Sequence, residues 1–244
     1  MDYTKFYDES LLEIGGDEQP DGSFTNGNFT HFKQMLPWIG IDYDKGTFKK
    51  LILIGESHYL PNNAKEALFN PRNWYHEDHT DWYEEGEDEE QMTNTRQFLA
   101  GYLKCHRMYN NPHKVMREVM IEQYPEFECK NLYRYVVYYN YFLRPARNKK
   151  SIKDIIKTED RTIASDTLLE LVTIIKPDYV FFLSKFAWES FMREKKIESL
   201  PFIVGYSDHP SRRWNVANNY NGNRITSKEC FKQFLLKNKI FEKQ

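Results

Sequence analysis

The chain predicts an α/β fold: a three-layer α/β/α sandwich on a mainly parallel central sheet of about four strands. Three observations predict it. Short apolar runs without polar alternation recur along the chain, as in strands buried on both faces. Segments with helical periodicity separate these runs. Two of the runs lead into reactive side chains, and open α/β sheets bind ligands beyond the carboxyl ends of their strands.

The elements follow in order. Residues 1–30 are polar and punctuated by Gly15-Gly16, Pro20-Asp21-Gly22 and Asn26-Gly27, so an arm or loose cap is expected over 1–45. The first strand is expected over 49–55, where Leu51-Ile52-Leu53-Ile54 runs into Gly55. A glycine there permits a sharp turn or a close approach. A loop at 60–63 and a short helix at 64–69 come next, then an acidic insertion at 71–91. Its core, 76–90, reads as a solvated loop, and His76 and His79 with nearby carboxylates are the sharper alternative, a zinc or manganese site. Helices are expected over 92–109 and 113–124, split at Asn110-Asn111-Pro112. A second strand, 132–140, is β-branched and aromatic and ends on Asn140. The basic stretch Arg144 to Lys150 is the best local phosphate patch. An amphipathic helix over 161–175 stops at Lys176-Pro177. A third strand covers 179–183, Ser184 caps a helix at 185–195, a fourth strand covers 201–206, and a last helix covers 226–238.

Composition narrows the class. The 244 residues, 40% apolar and 29% charged, suit one domain over 1–244. A formal net charge of -2 supplies no global field for nucleic acid, so such binding needs a local patch. Cys105, Cys129 and Cys230 are widely spaced, with no CxxC. Free thiols in a reducing, cytoplasmic setting are expected, without structural zinc or an iron–sulfur cluster. No apolar run approaches a membrane span. The expectation is a monomer with no cofactor, no metal and no membrane partner.

The chemistry gathers at strand ends. Glu56, Ser57, His58 and Tyr59 follow the first strand, Asn140 ends the second, and His209 with Ser211 follows the fourth. On a parallel sheet these ends converge.

These residues resemble the uracil-DNA glycosylase superfamily. Gly55-Glu56-Ser57-His58-Tyr59 stands where the best-known branch has GQDPY. Phe69 stands about where that family stacks a phenylalanine on a flipped base. Asn140 matches its base-reading asparagine, Pro177 to Trp188 its third strand and helix, and His209-Pro210-Ser211 its HPS motif. The likeness covers roughly 50–70, 132–142 and 165–214. It implies hydrolysis of the N-glycosidic bond of a damaged or deaminated base in DNA, extruded so that C1′ is exposed. Catalytic roles would fall to Glu56 and His209. Gly55, Ser57, His58, Tyr59, Phe69, Asn140 and Ser211 would bind substrate.

There are departures. The family's water-activating Asp falls on Ser57, which cannot act as a carboxylate base, whereas Glu56 matches a branch reading GEAPG. That branch carries an iron–sulfur cluster on four cysteines, and this chain has three, at other places. After HPS comes Arg212-Arg213-Trp214 instead of an intercalating Pro-Leu-Ser loop. Two alternatives stay open: an inactive module of the same fold binding nucleotide, nucleic acid or a protein, and an esterase-like hydrolase using Glu56 and His58.

Overall fold

Side-chain alternation along the central strands decides the architecture. The computed structural model describes residues 2–18, 20, 24–25, 27–30, 32–60, 64–76, 93–101, 106–147, 150–194, 199–211, 213–220 and 222–244. In chain order the described elements are α1 (Asp8–Leu12), β1 (Asp17–Glu18), β2 (Phe24–Thr25), β3 (Trp38–Ile39), β4 (Leu51–Leu60), α2 (Pro71–His76), α3 (Thr95–Gly101), α4 (Arg107–Gln123), β5 (Val137–Arg147), α5 (Thr158–Ile175), β6 (Tyr179–Phe182), α6 (Lys185–Glu194), β7 (Ile203–Tyr206), β8 (Ala217–Tyr220), β9 (Asn223–Thr226) and α7 (Ser227–Lys237). One five-stranded sheet has the order β3-β5-β4-β6-β7, and β1-β2 and β8-β9 are separate ribbons. Within the sheet only β3 runs antiparallel.

Alternate residues of the central strands feed two apolar clusters, one on each face. Ile52, Ile54, Val137, Tyr139, Val180 and Phe182 pack with Leu168, Leu171 and Ile175 of α5 and Phe191 of α6. Leu51, Leu53, Tyr138, Tyr179 and Phe181 pack with Val115, Met116, Val119 and Met120 of α4 and with Phe231 and Leu235 of α7. Helices thus cover both faces, which is why the strands read as unbroken apolar runs. Leu11, Ile14 and Phe29, from the polar first thirty residues, are buried against the α5 face.

Several expectations need correction. The sheet has five strands, not four. The two residues of β3 are too few to carry a period. The second strand starts later and runs longer than 132–140. Residues Leu132–Tyr135 form a 3₁₀ turn, held where the Asn131 side chain accepts the Tyr133 N–H at 3.1 Å. Asn140 therefore sits inside β5 and does not end it. β5 carries Pro145 because the register against β4 shifts after Ser57–Phe142, resuming at Tyr59–Ala146, and such irregularities accommodate a missing N–H. The break expected at 110–112 does not occur: α4 runs through Pro112. Proline in the sixth helical position forfeits one backbone bond, and Tyr109, Pro112 and Met116 are buried together there.

The basic patch at 144–150 also loses a member. Arg144 is fully buried. Its guanidinium pairs with both Asp160 oxygens at 2.7 Å and donates to the carbonyls of Phe69 and Ile155 at 2.6 and 2.8 Å. The Asp160 carboxylate accepts the Lys157 N–H as well, at 2.8 Å, and so starts α5. The acidic run 77–90, His79 and Cys105 lie outside the described residues.

Candidate active site

Where β6 stops, β4 and β5 go on. The last β4–β6 pair is Ile54–Phe182, and Leu183 N–H then donates to the Ile54 carbonyl at 2.7 Å. Beyond it the chain turns at Ser184 into α6, while β4 continues through Glu56, Ser57, His58 and Tyr59. These four residues remain in a strand and not in a loop. A cavity of about 700 Å³ opens at this carboxyl edge, within the size range of small-molecule sites. Its lining includes Glu56, Ser57, His58 and Tyr59 of β4 together with His209 and Ser211 after β7.

Glu56 is half-buried and is held by Ser184, whose hydroxyl donates to its carboxylate at 2.5 Å. The Ser184 oxygen in turn accepts the Ala187 N–H at 3.2 Å, capping α6. The strand register makes this pairing necessary: Glu56 and Ser184 each lie two residues beyond the paired Ile54 and Phe182.

His209 is fixed by its own loop. The Ser211 N–H donates to Nδ1 at 3.3 Å, and the Ser211 hydroxyl lies 2.9 Å from the same nitrogen. Nδ1 is therefore an acceptor, which assigns the proton of the neutral ring to Nε2. Burial pushes the imidazole pKa down, the Glu56 carboxylate opposes that, and the Lys153 ammonium adds to it. The balance leaves His209 neutral at pH 7. Neighbouring elements hold the loop. Asn111 of α4 donates to the Pro210 carbonyl at 2.7 Å. The Asp208 N–H donates to the Tyr220 hydroxyl at 3.0 Å, and Asn218 donates to the Asp208 carboxylate at 2.9 Å.

His58 is buried, and desolvation takes its pKa to about 3. Its Nε2 lies 3.1 Å from Asn140 Nδ2 and 3.2 Å from the Thr95 hydroxyl. Asn140, buried itself, stands behind His58 and outside the cavity lining. Gly55 explains that position: a Cβ there would fall 2.2 Å from Asn140 Oδ1 and 2.3 Å from the Tyr138 hydroxyl. The close approach Gly55 permits is thus to these two side chains. Phe69 lies apart from the cavity, its ring 4.2 Å from the Arg147 guanidinium. So β4 and the HPS loop converge, Gly55 and Asn140 form the layer behind them, and Phe69 does not join.

Sequence reading missed much of the wall. Phe186 lines the cavity, with the Lys153 ammonium 4.9 Å from its ring centroid. Arg107, Lys150, Lys153, Lys185 and Arg213 also line it, five cations against the two carboxylates of Glu56 and Asp208. Lys150 belongs to the basic stretch and Arg213 to the run after HPS that the sequence already singled out, whereas separation along the chain hid Arg107, Lys153 and Lys185, because no short window contains the cluster. The local signal was only that each sits at a helix start or in a post-strand loop. Among the described residues no group of His, Cys, Asp and Glu is arranged to hold a metal, and His76 instead pairs with Glu159 at 2.6 Å. No described helix is long and apolar enough to cross a membrane.

No protein-family model matches the chain, and no curated protein matches it.

Proposed function

We propose that the chain is a divergent uracil-DNA glycosylase-like enzyme, a three-layer α/β/α sandwich that hydrolyses the N-glycosidic bond of a damaged or deaminated base in DNA. The observation that carries this reading is the Glu56–His209 pair. A carboxylate and a neutral imidazole with its proton on Nε2 face one cavity at the carboxyl edge of the sheet, close enough for the charge of one to act on the other. The order of the motifs along the chain adds to it.

In this mechanism a water oxygen forms a bond to C1′ as the C1′–N bond breaks. The bonding pair leaves with the base. Glu56 orients the water and takes its proton, and its charge offsets the oxocarbenium-like transition state. His209 Nε2–H donates a hydrogen bond to the base oxygen where negative charge collects. Ser57 carries no carboxylate and is assigned substrate contact only. Tyr59 forms one wall. The stacking role expected of Phe69 passes to Phe186, which lies in the cavity. Asn140 acts through His58, since it stands behind that ring. No residue role in this scheme calls for a metal or cofactor.

The hold of Ser184 on Glu56 favours a second reading, in which the carboxylate serves mainly to start α6 and the cavity binds a nucleotide without hydrolysis. A base-release assay separates the two. Single-stranded and mismatched DNA carrying uracil, hypoxanthine or xanthine would be incubated with wild type, Glu56→Gln and His209→Ala, and abasic sites scored by alkaline cleavage. Release abolished in both variants supports the glycosylase. No release from any substrate by a cooperatively folded wild type removes it.

A further inference from the structure

The five-stranded sheet ends differently on its two sides. At β3 the chain covers its own edge: the Thr4 N–H donates to the Ile39 carbonyl at 2.9 Å, and the Ile41 N–H to the Asp2 carbonyl at 3.0 Å. β7 is the other edge and pairs with β6 alone. Toward β6, the Ile203 and Ser207 N–H groups donate to the Asp178 and Phe182 carbonyls at 3.0 and 2.9 Å. Backbone groups of successive residues alternate between the two sides of a strand, so Val204 and Tyr206 turn theirs outward. The Cys230 thiol donates to the Tyr206 carbonyl at 3.3 Å. Among the described residues nothing meets the Val204 N–H and carbonyl or the Tyr206 N–H. The strand Ile203-Val204-Gly205-Tyr206 keeps an unbroken register. It has no charge, proline or bulge, the devices that close an edge to pairing.

This edge lies in an apolar groove of about 790 Å³ that shares no lining residue with the cavity at Glu56 and His209. α6 borders the groove with Met192 and with Trp188, whose ring stacks on Tyr206 at 3.8 Å. α7 borders it with Phe234, Leu236 and Lys237. Met192, Ile203 and Leu236 are 48%, 52% and 38% exposed, three of the seven large apolar residues that the described chain leaves exposed. Apolar surface gathered in one place marks an interaction site, whereas scattered residues do not. Among the described residues Lys237 is the one charged member of the lining, and no carboxylate pairs with it.

We infer that β7 is a docking edge for an extended apolar peptide segment of a partner protein that carries a carboxylate. The segment adds to the sheet as a sixth strand, and its backbone meets the outward groups of Val204 and Tyr206. Its side chains fall alternately toward Met192 and toward Ile203 and Leu236. Its carboxylate meets the Lys237 ammonium. Charge selects this occupant over a second copy of β7, since Ile203–Tyr206 brings no acid to Lys237. The inference is independent of the chemistry at Glu56 and His209.

Fluorescence anisotropy tests it with two labelled hexapeptides of valine, isoleucine and threonine, one with Asp first and one with Asp last. Wild type should bind at least one of them. N-methylation of alternate peptide nitrogens, in one of its two phases, should weaken that binding about tenfold, as should Val204→Pro, through loss of ladder hydrogen bonds. Proline is tolerated on an edge strand where its N–H would face outward. A thermal melt checks that variant, and the methylated peptides read the ladder with the protein unchanged. Replacing the peptide Asp by Lys should weaken binding about fivefold, and Lys237→Glu should reverse the preference. Absence of binding to both peptides, affinity that ignores N-methylation in both phases, or a charge preference that Lys237→Glu leaves unchanged overturns the docking edge. Sedimentation showing a dimer that Val204→Pro dissociates assigns the edge to a second copy and overturns it as well.

Discussion

Arg144 with Asp160, and Glu56 with His209, are two acid–base pairs near the carboxyl half of the sheet, and they are built in opposite ways. The first is fully enclosed. Two carbonyls, one backbone N–H and the Tyr75 hydroxyl complete its hydrogen bonds, so nothing is left for a ligand. The second faces a cavity. Ser184 and Ser211 each hold one member, and each member keeps capacity directed outward. A closed network fixes a structure and an open one binds. Sequence composition could not tell them apart, because each is an acid and a base brought together from two different elements.

The largest expected effect lies on the closed side. Arg144→Ala leaves the Asp160 carboxylate buried without its partner, and breaking such a pair costs about 3–5 kcal/mol. Chemical denaturation should show that loss, and a loss under about 1 kcal/mol would mean that the site relaxes or is wet.

A titration effect comes next. His58 is held neutral by burial, with its pKa near 3, below the ordinary value of about 6.5. The unfolded chain therefore binds the extra proton first as pH falls. Stability from this group is complete above about 6.5 and is lost progressively toward 3, at about 1.4 kcal/mol per pH unit. His113, lowered to about 4, acts in the same direction. Denaturation of wild type and His58→Gln across that range should give a shallower acid slope in the variant. Parallel curves would contradict the assignment.

Gly55→Ala should have the smallest effect of the three. Its methyl would meet Asn140 and Tyr138 within 2.3 Å, and overpacking of that kind costs about 1–3 kcal/mol. The measurement is a shift of the denaturation midpoint, and an unshifted midpoint would mean that Asn140 moves freely.

How much was legible follows from the range of each signal. Buried strands at 51–54 and 179–182 announced themselves because an apolar run is local. The helix after Ser184 did so through its cap, and α5 through its stripe, although Asp160 begins it three residues earlier than the stripe does. β3 was too short to read. The 3₁₀ turn at 132–135 uses the same aromatic residues as a strand, and only Asn131 distinguishes it. At the site, Glu56, His209 and Ser211 were found from strand-end position. Ser184 as the partner of Glu56 needed the β4–β6 register, and the cationic wall needed the whole topology. Phe69 was placed by likeness to a family alone, and nothing local pointed it toward the cavity.

Base release measured together with melting in Glu56→Gln tests the role of Glu56 most directly. Wild type should release a base from DNA, and the variant should melt cooperatively near the wild-type temperature while release falls by at least about a hundredfold, as expected for loss of a general base. Unchanged release would assign the chemistry elsewhere. A collapsed melt would show that Glu56 belongs, like Asp160, to a closed network.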